Sequence, residues 1–241
     1  MCGRFATTAT VDEIGEAFDV TSGLNIPPRY NIAPTQVVSV ICHPEEAPIL
    51  KDKTTRELVY MNWGLVPHWS KKLPSGKPMI NARSETVHQK PSFRGPFRHK
   101  RCLVPTNGYY EWKTISGLKM PYYVSLKSDE VFAMAGIWDV WTGPGSESWL
   151  ETMALVTKVA SPFLQKVHHR MPVMLGQKDF SMWLGEGQEG EKDIFKKLTP
   201  LKDDVFEIQK VSRRINNNSY EGSDLVKPIK EGPILTQGTL F

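Results

Sequence analysis

The chain has 241 residues, of which 40% are hydrophobic and 23% charged, with a formal net charge of +4. Those values describe a globular chain long enough to bury a sizeable core, exclude a disordered polyelectrolyte, and tolerate an anionic partner without requiring one. Three widely spaced cysteines without a CxxC pair, no apolar run approaching about eighteen residues, and no basic segment leading into an apolar run speak against a zinc or disulfide framework, a membrane span and a secretion leader.

The first five residues, Met1-Cys2-Gly3-Arg4-Phe5, carry unusual chemistry. Once the initiator methionine is removed, Cys2 presents an α-amine and a thiol on adjacent carbons. Their ordinary pKa values are about 7.7–8.0 and about 8.5, so at neutral pH each is in its nucleophilic form for a minor fraction of the time. A nearby base or positive charge raises that fraction.

Thr10-Val11-Asp12-Glu13 is a capping box, and Val11, Ile14 and Phe18 follow at helical spacing, which predicts a helix over about 11–19. Pro27 to Pro34 reads as an extended, shaped loop, because proline restricts both itself and the residue before it. Strands are expected near Val37–Ile41, Leu58–Trp63, Arg101–Pro105, Tyr122–Leu126, Val131–Ile137, Thr152–Thr157 and Val205–Val211, each rich in branched or aromatic residues. Ser116-Gly117 predicts a hairpin between Trp112 and Tyr122. Ser161-Pro162 opens a helical turn to about Val167, Lys178–Leu184 reads as a helix ended by Gly185, and a charged helix is expected near Glu189–Leu198. The order is that of an α+β fold, a mostly antiparallel β core with peripheral helices. One domain is expected over 1–215, with an extended tail over 216–241 whose Asn, Ser, Gly, Pro and Lys cannot support an independent core.

Several polar residues lie within apolar runs: Asn81-Ala82-Arg83-Ser84-Glu85, Glu111 between Tyr110 and Trp112, and His168-His169-Arg170-Met171-Pro172. An unpaired buried carboxylate is costly, so Glu111 needs a partner or a task. Taken with Cys2-Gly3-Arg4-Phe5, Arg29-Tyr30-Asn31-Ile32-Ala33-Pro34, Trp63-Gly64-Leu65-Val66-Pro67 and Gly108-Tyr109-Tyr110-Glu111-Trp112, these motifs resemble in order, from residue 2 to about 210, the SRAP family (SOS response-associated peptidase).

That resemblance implies a SRAP-like fold and a sensor and shield for abasic sites in single-stranded DNA, in which the N-terminal cysteine bonds to the ring-opened sugar. The residue chemistry is consistent with it: an α-amine condenses with an aldehyde to a Schiff base, and a neighbouring thiol closes a thiazolidine on the imine. Within this scheme His168 supplies a proton to the sugar ring oxygen, Glu111 orients the amine and accepts its proton, and Asn81 holds the amine or sugar. An ionised Glu111 alone would raise the amine pKa, so its use as a base requires compensation from desolvation or nearby arginines.

Arg4, Arg83 and Arg170 are the expected phosphate contacts, Trp69 and Trp112 the stacking or wedge surfaces, and Pro34 a rigid edge. Trp138 and Trp183 are expected in the core, as are Cys42 and Cys102. No cofactor is expected, and a metal held by Cys2, His168 and His169 is unsupported by their spacing. The competing reading is an N-terminal-nucleophile cysteine peptidase or amidohydrolase, and a third is noncovalent single-strand binding. Strand cleavage by β-elimination is a further outcome of the same Schiff base. Gln237-Gly238-Thr239-Leu240-Phe241 resembles the peptide by which bacterial repair proteins dock on the β sliding clamp, with Gln237, Leu240 and Phe241 as anchors. The expected location is the cytoplasm, in association with the nucleoid, with abasic single-stranded DNA as partner and no membrane contact.

Overall fold

The computed structural model describes residues 2–43, 56–73, 75–143, 145, 149–186 and 194–229. In chain order the elements are β1 (Phe5–Thr7), α1 (Val11–Phe18), β2 (Arg29–Ile32), β3 (Val37–Cys42), β4 (Glu57–Trp63), β5 (Asn81–Arg83), α2 (Pro91–His99), β6 (Arg101–Thr106), β7 (Gly108–Ile115), β8 (Leu118–Leu126), β9 (Phe132–Thr142), β10 (Trp149–Val159), β11 (Arg170–Pro172), β12 (Met174–Leu175), α3 (Phe180–Leu184), α4 (Ile194–Lys197) and β13 (Phe206–Lys210). The mostly antiparallel β core with short peripheral helices expected from the sequence is what the chain forms.

The expected strands and helices have local causes that the structure bears out. Thr10 accepts from the Glu13 backbone while the Glu13 side chain accepts from the Thr10 backbone, closing the capping box. Ser116 and Gly117 both have positive φ, 48° and 78°, as a two-residue type I′ hairpin turn demands. Gly185 ends α3 at φ 84°. The turn after Ser161 is a single 3-10 turn over Leu164–Lys166 rather than a longer helix, and the charged helix near 189–198 is α4, with residues 187–193 outside the described residues.

Two sheets make the core. One has the order β13-β8-β7-β1-β2; in the other, β10-β4-β3-β6-β9 closes on itself because β9 also pairs with β10. Most pairings are antiparallel, but β10 runs parallel to both β4 and β5. Alternation along β6, β9 and β10 serves two packing layers. Cys102, Val104, Met134, Met153 and Leu155 meet Phe5, Tyr109, Val124 and Phe206 of the other sheet. Leu103, Ala135, Ile137, Ala154 and Val156 pack with Ile14, Phe18, Phe97, Phe180 and Trp183 from the helices. Cys42, Cys102, Trp138 and Trp183 are buried as expected.

Residues 216–229, expected as the start of an extended tail, are instead docked on the domain. Leu225 is fully buried, Asn31 donates from Nδ2 to the carbonyls of Asn217 and Tyr220, and Glu221 accepts from the backbone of Tyr30 and Asn31. Polar composition misleads here because the segment uses hydrogen bonds to β2 more than apolar burial. Residues 230–241, with Gln237, Leu240 and Phe241, lie outside the described residues.

Candidate active site

Four side chains named from the sequence converge where the two sheets meet. The Tyr110 backbone donates to the Arg4 carbonyl at 2.9 Å, and Phe5 pairs with Tyr109. This register lays the N-terminal residues along β7 beside Glu111. Asn81 opens β5 and donates from Nδ2 to the Cys2 carbonyl oxygen at 2.8 Å, tying the N-terminal segment to the second sheet. Its Oδ1 is buried and has no hydrogen-bond partner among the described residues, so one acceptor remains for an incoming donor.

His168 immediately precedes β11. Thr157 of β10 pairs with Arg83 of β5 on one side and with Pro172 of β11 on the other, which fixes Asn81 and His168 relative to each other. His168 Nδ1 stands 3.8 Å from Glu111 Oε1. The Arg170 backbone N–H reaches the same Nδ1 at 3.0 Å, with the Arg170 carbonyl at 3.2 Å. Acceptance of the shorter contact makes Nδ1 the acceptor and puts the proton of the neutral ring on Nε2.

The electrostatics follow from burial. Cys2 is fully buried with Met1 attached, and its thiol donates weakly to the Arg4 carbonyl at 3.9 Å. Burial, and then the Glu111 carboxylate, push this thiol far above its ordinary pKa. Burial raises the Glu111 carboxyl and lowers His168, the latter toward the neutral ring at pH 7. Tyr109, also raised by burial and then by Cys2 and Glu111, lines the same spot; an unremarkable aromatic in a strand, it gave no sequence signal of its own.

The residues expected to grip DNA divide into two groups. Arg83 shares a face of β5 with Asn81, is exposed, and has no side-chain ion pair among the described residues. Trp69 is 56% exposed. Its loop is clamped by buried Asp139, which accepts from the His68 backbone at 2.9 Å, meets His68 Nδ1 at 2.9 Å and sits 3.4 Å from Lys100 Nζ. Pro34 is half-buried just beyond Ile32, the partner of Phe5.

The other three are committed to internal contacts. Arg4 is 9% exposed, and its guanidinium donates to Asn31, Asn218 and the Ile215 carbonyl, so it pins the 215–218 stretch to the sheet. Arg170 donates to both oxygens of Glu85, at 2.6 and 3.0 Å, and to the Thr157 carbonyl at 2.7 Å. Trp112 follows Glu111 and therefore faces the opposite side of β7, where it packs near Tyr110 and donates to Asn216 at 2.9 Å. Glu85 and Thr157 had no signal as partners of Arg170, because the contacts bridge 85 and 13 residues of chain.

A cleft of about 790 Å³ lies elsewhere, between α1, Asp129–Phe132 and Leu175–Gln177, and none of the four converging residues lines it. Among the described residues no group of three or more His, Cys, Asp or Glu is arranged to hold a metal ion, and no helix is long and apolar enough to cross a membrane.

Comparison with known proteins places this geometry in context. The sequence model described as "SOS response associated peptidase (SRAP)" matches residues 1–218. The chain is 33% identical over 231 residues to the Bacillus subtilis abasic site processing protein YoqW, covering 94% of this chain and 99% of that one. It is 31% identical to the chicken (Gallus gallus) abasic site processing protein HMCES, over 85% of this chain and 67% of that one. Among solved structures, a Bacteroides thetaiotaomicron protein superposes with a TM-score of 0.81 at 24% identity, covering 95% of this chain and all of the other, which shows a shared fold.

Proposed function

The chain belongs to the SRAP family, and we propose that it processes abasic sites in single-stranded DNA by closing Cys2, freed of Met1, onto the ring-opened sugar. The observation that carries this reading is a chain of contacts from four separate segments: Asn81 holds the Cys2 carbonyl, the Glu111 charge acts on the Cys2 thiol, and His168 stands beside Glu111. The relatives' names supply the substrate class.

The burial of the thiol sets the order of events. A thiol held protonated is a poor first nucleophile, whereas the α-amine, once deprotonated, condenses with the sugar aldehyde. Its nitrogen bonds to the aldehyde carbon, the carbonyl oxygen leaves as water, and a Schiff base forms. The Cys2 sulfur then adds to the imine carbon while its proton passes to the nitrogen, closing a five-membered thiazolidine. Asn81 holds the Cys2 carbonyl, and therefore the amine, in place.

Glu111 and His168 carry the protons. Glu111 takes one from the ammonium, its burial offsetting the tendency of an ionised carboxylate to keep the amine charged. His168 gives its Nε2 proton to the sugar ring oxygen as the ring opens and is replenished at Nδ1 from Glu111, the 3.8 Å gap shortening by ~1 Å to hydrogen-bond distance.

The peptidase alternative requires an ionised thiolate, which burial and Glu111 both oppose. Strand cleavage through the Schiff base is the branch that thiazolidine closure suppresses. On the DNA side, Arg83 and Trp69 are the accessible contacts, with Pro34 as an edge, while Arg4, Trp112 and Arg170 shape the site from behind. Tethering to a sliding clamp through Gln237, Leu240 and Phe241 is a separate proposal. Titration of the clamp with intact protein and with a Leu240→Ala/Phe241→Ala variant tests it, and equal binding by the two removes it.

The test of the main reading is to mix Met1-processed protein with single-stranded DNA bearing one abasic site and resolve the products under denaturing conditions. A covalent adduct that is absent with intact DNA and lost in Cys2→Ala supports the reading. Turnover of a peptide substrate with no adduct supports the peptidase. Binding without an adduct, unchanged in Cys2→Ala, supports a noncovalent module.

A further inference from the structure

The hairpin that carries Glu111 continues well past the site. Register pairs Glu111 with Tyr122, Lys113 with Met120 and Ile115 with Leu118 across β7 and β8, and Tyr122 with Lys210 across β8 and β13. Directly opposed residues share a face, and residues two apart share it too. One face of the sheet therefore runs from the buried Glu111 through Tyr122 and Lys210 to Lys113 and Met120, and ends at Ile115 and Leu118.

Exposure rises along it. Glu111 is 4% exposed, Tyr122, Lys113, Met120 and Lys210 are half-buried, and Ile115 and Leu118 are 40% and 56% exposed. Deeper in the chain the same face packs against the second sheet through Tyr109 and Val124. From Glu111 outward that cover ends. The four residue steps from Glu111 to Ile115 span ~14 Å at strand rise, and the type I′ turn holds the tip without a long loop.

This ramp has the composition of a single-strand track: an aromatic next to the site, two lysines beside it, and an apolar end. We infer that it is the platform for one flank of the DNA strand leaving the abasic nucleotide, with Lys113 and Lys210 at its phosphates and Tyr122, Met120, Ile115 and Leu118 under its bases. Charge complementarity and unbroken continuity with Glu111 select a nucleic acid strand over a protein partner, since a base-bearing polyanion matches alternating cations and flat apolar surface. The assignment rests on the proposed abasic-site reading. It adds a direction to it: the nucleotides on one side of the lesion are held by the hairpin, and those on the other are not.

The experiment compares two oligonucleotides carrying a tetrahydrofuran abasic analogue, which lacks the aldehyde and so reports binding alone. One places the lesion at the 5′ end and the other at the 3′ end, with flanks of equal length. Intact protein is expected to bind one of them ~fivefold or more tightly, the value of about one stacked base. A Lys113→Gln/Ile115→Ser/Leu118→Ser variant is expected to bring the ratio close to one, and Lys113→Gln alone, which leaves the hairpin's apolar residues intact, to lower it in part. A ratio near one in the intact protein, or a ratio the variant leaves unchanged, overturns the ramp. Failure of the abasic-site reading shows separately, as no adduct between intact, Met1-processed protein and aldehyde-bearing abasic DNA.

Discussion

Asn81 reaches from β5 to the backbone of Cys2, its Nδ2 donating to the Cys2 carbonyl oxygen at 2.8 Å. This bond joins Cys2, the residue proposed to react, to a strand seated beside β10, so its backbone is held by the second sheet as well as by its own. Asn81→Ala is predicted to slow adduct formation by roughly tenfold to a hundredfold, the cost of a small misplacement of a reacting group. It should lower stability by only about 1 kcal/mol. Single-turnover rates and thermal melts check the two halves separately. Asn81→Asp should be slower still, because a carboxylate facing the Cys2 carbonyl repels it.

Glu111→Gln is predicted to lose activity and gain stability at neutral pH. Burial raises the folded-state pKa of Glu111 above its unfolded value. The native state then holds more protons than the unfolded one between the ordinary carboxylate pKa of about 4.3 and the raised value, and stability declines as pH rises through that window. The variant should show a higher Tm than the parent at pH 7–8, a difference that shrinks toward pH 4. The rate of adduct formation in the parent should rise with pH through the raised pKa of Glu111, and this limb should vanish in the variant.

Arg170 and Glu85 form a two-pronged ion pair at the edge of the site. If Arg170 takes any DNA phosphate, it must first release Glu85. Glu85→Gln is therefore predicted to raise affinity for intact single-stranded DNA several-fold and to steepen its salt dependence by about one phosphate contact. Titrations at several salt concentrations check this. The pair is half-exposed on the Glu85 side, so the stability cost should stay within about 1 kcal/mol.

Asp139 holds the loop that presents Trp69 through the His68 backbone and ring and Lys100. Asp139→Ala leaves the half-buried Lys100 ammonium without its carboxylate and the His68 backbone without its acceptor, and should cost about 1–3 kcal/mol. Trypsin should then cut sooner at Lys71 or Lys72, and abasic DNA should bind more weakly. Asp139→Asn, which keeps an acceptor, should recover part of both.

Much of this was legible in the sequence because its causes are local. Thr10 and Glu13 announce α1, Ser116-Gly117 announces the hairpin, and runs of branched and aromatic residues mark β3, β4, β9 and β10. The helix α2 was not legible, since Gly95 and Pro96 interrupt the helical pattern after a favourable Pro91 at its first position, while tertiary contacts of Phe97 hold it in place. Three-residue strands such as β5 and β11 carry too little pattern to read, and the parallel seating of β5 on β10 is a long-range choice. For the site, Asn81, Glu111 and His168 stood out as polar residues within apolar runs and Cys2 as an N-terminal pair of nucleophiles, while their proposed roles came from the family resemblance. The roles of Arg4, Trp112 and Arg170 were not, because which face of a strand a residue takes, and which distant acceptor it meets, depend on pairings that residue type does not encode.

The central claim is that amine and thiol of one residue close on one aldehyde. Mass spectrometry of the product of Met1-processed protein with an abasic single-stranded oligonucleotide tests it most directly. The account predicts one adduct, with the mass of protein plus oligonucleotide less one water, stable to denaturation without a reducing agent and mapped by peptide digestion to Cys2. In Cys2→Ala a different adduct, the reduced imine, should be trapped, and only with borohydride. An equally stable adduct in Cys2→Ala, or in protein that retains Met1, would contradict it.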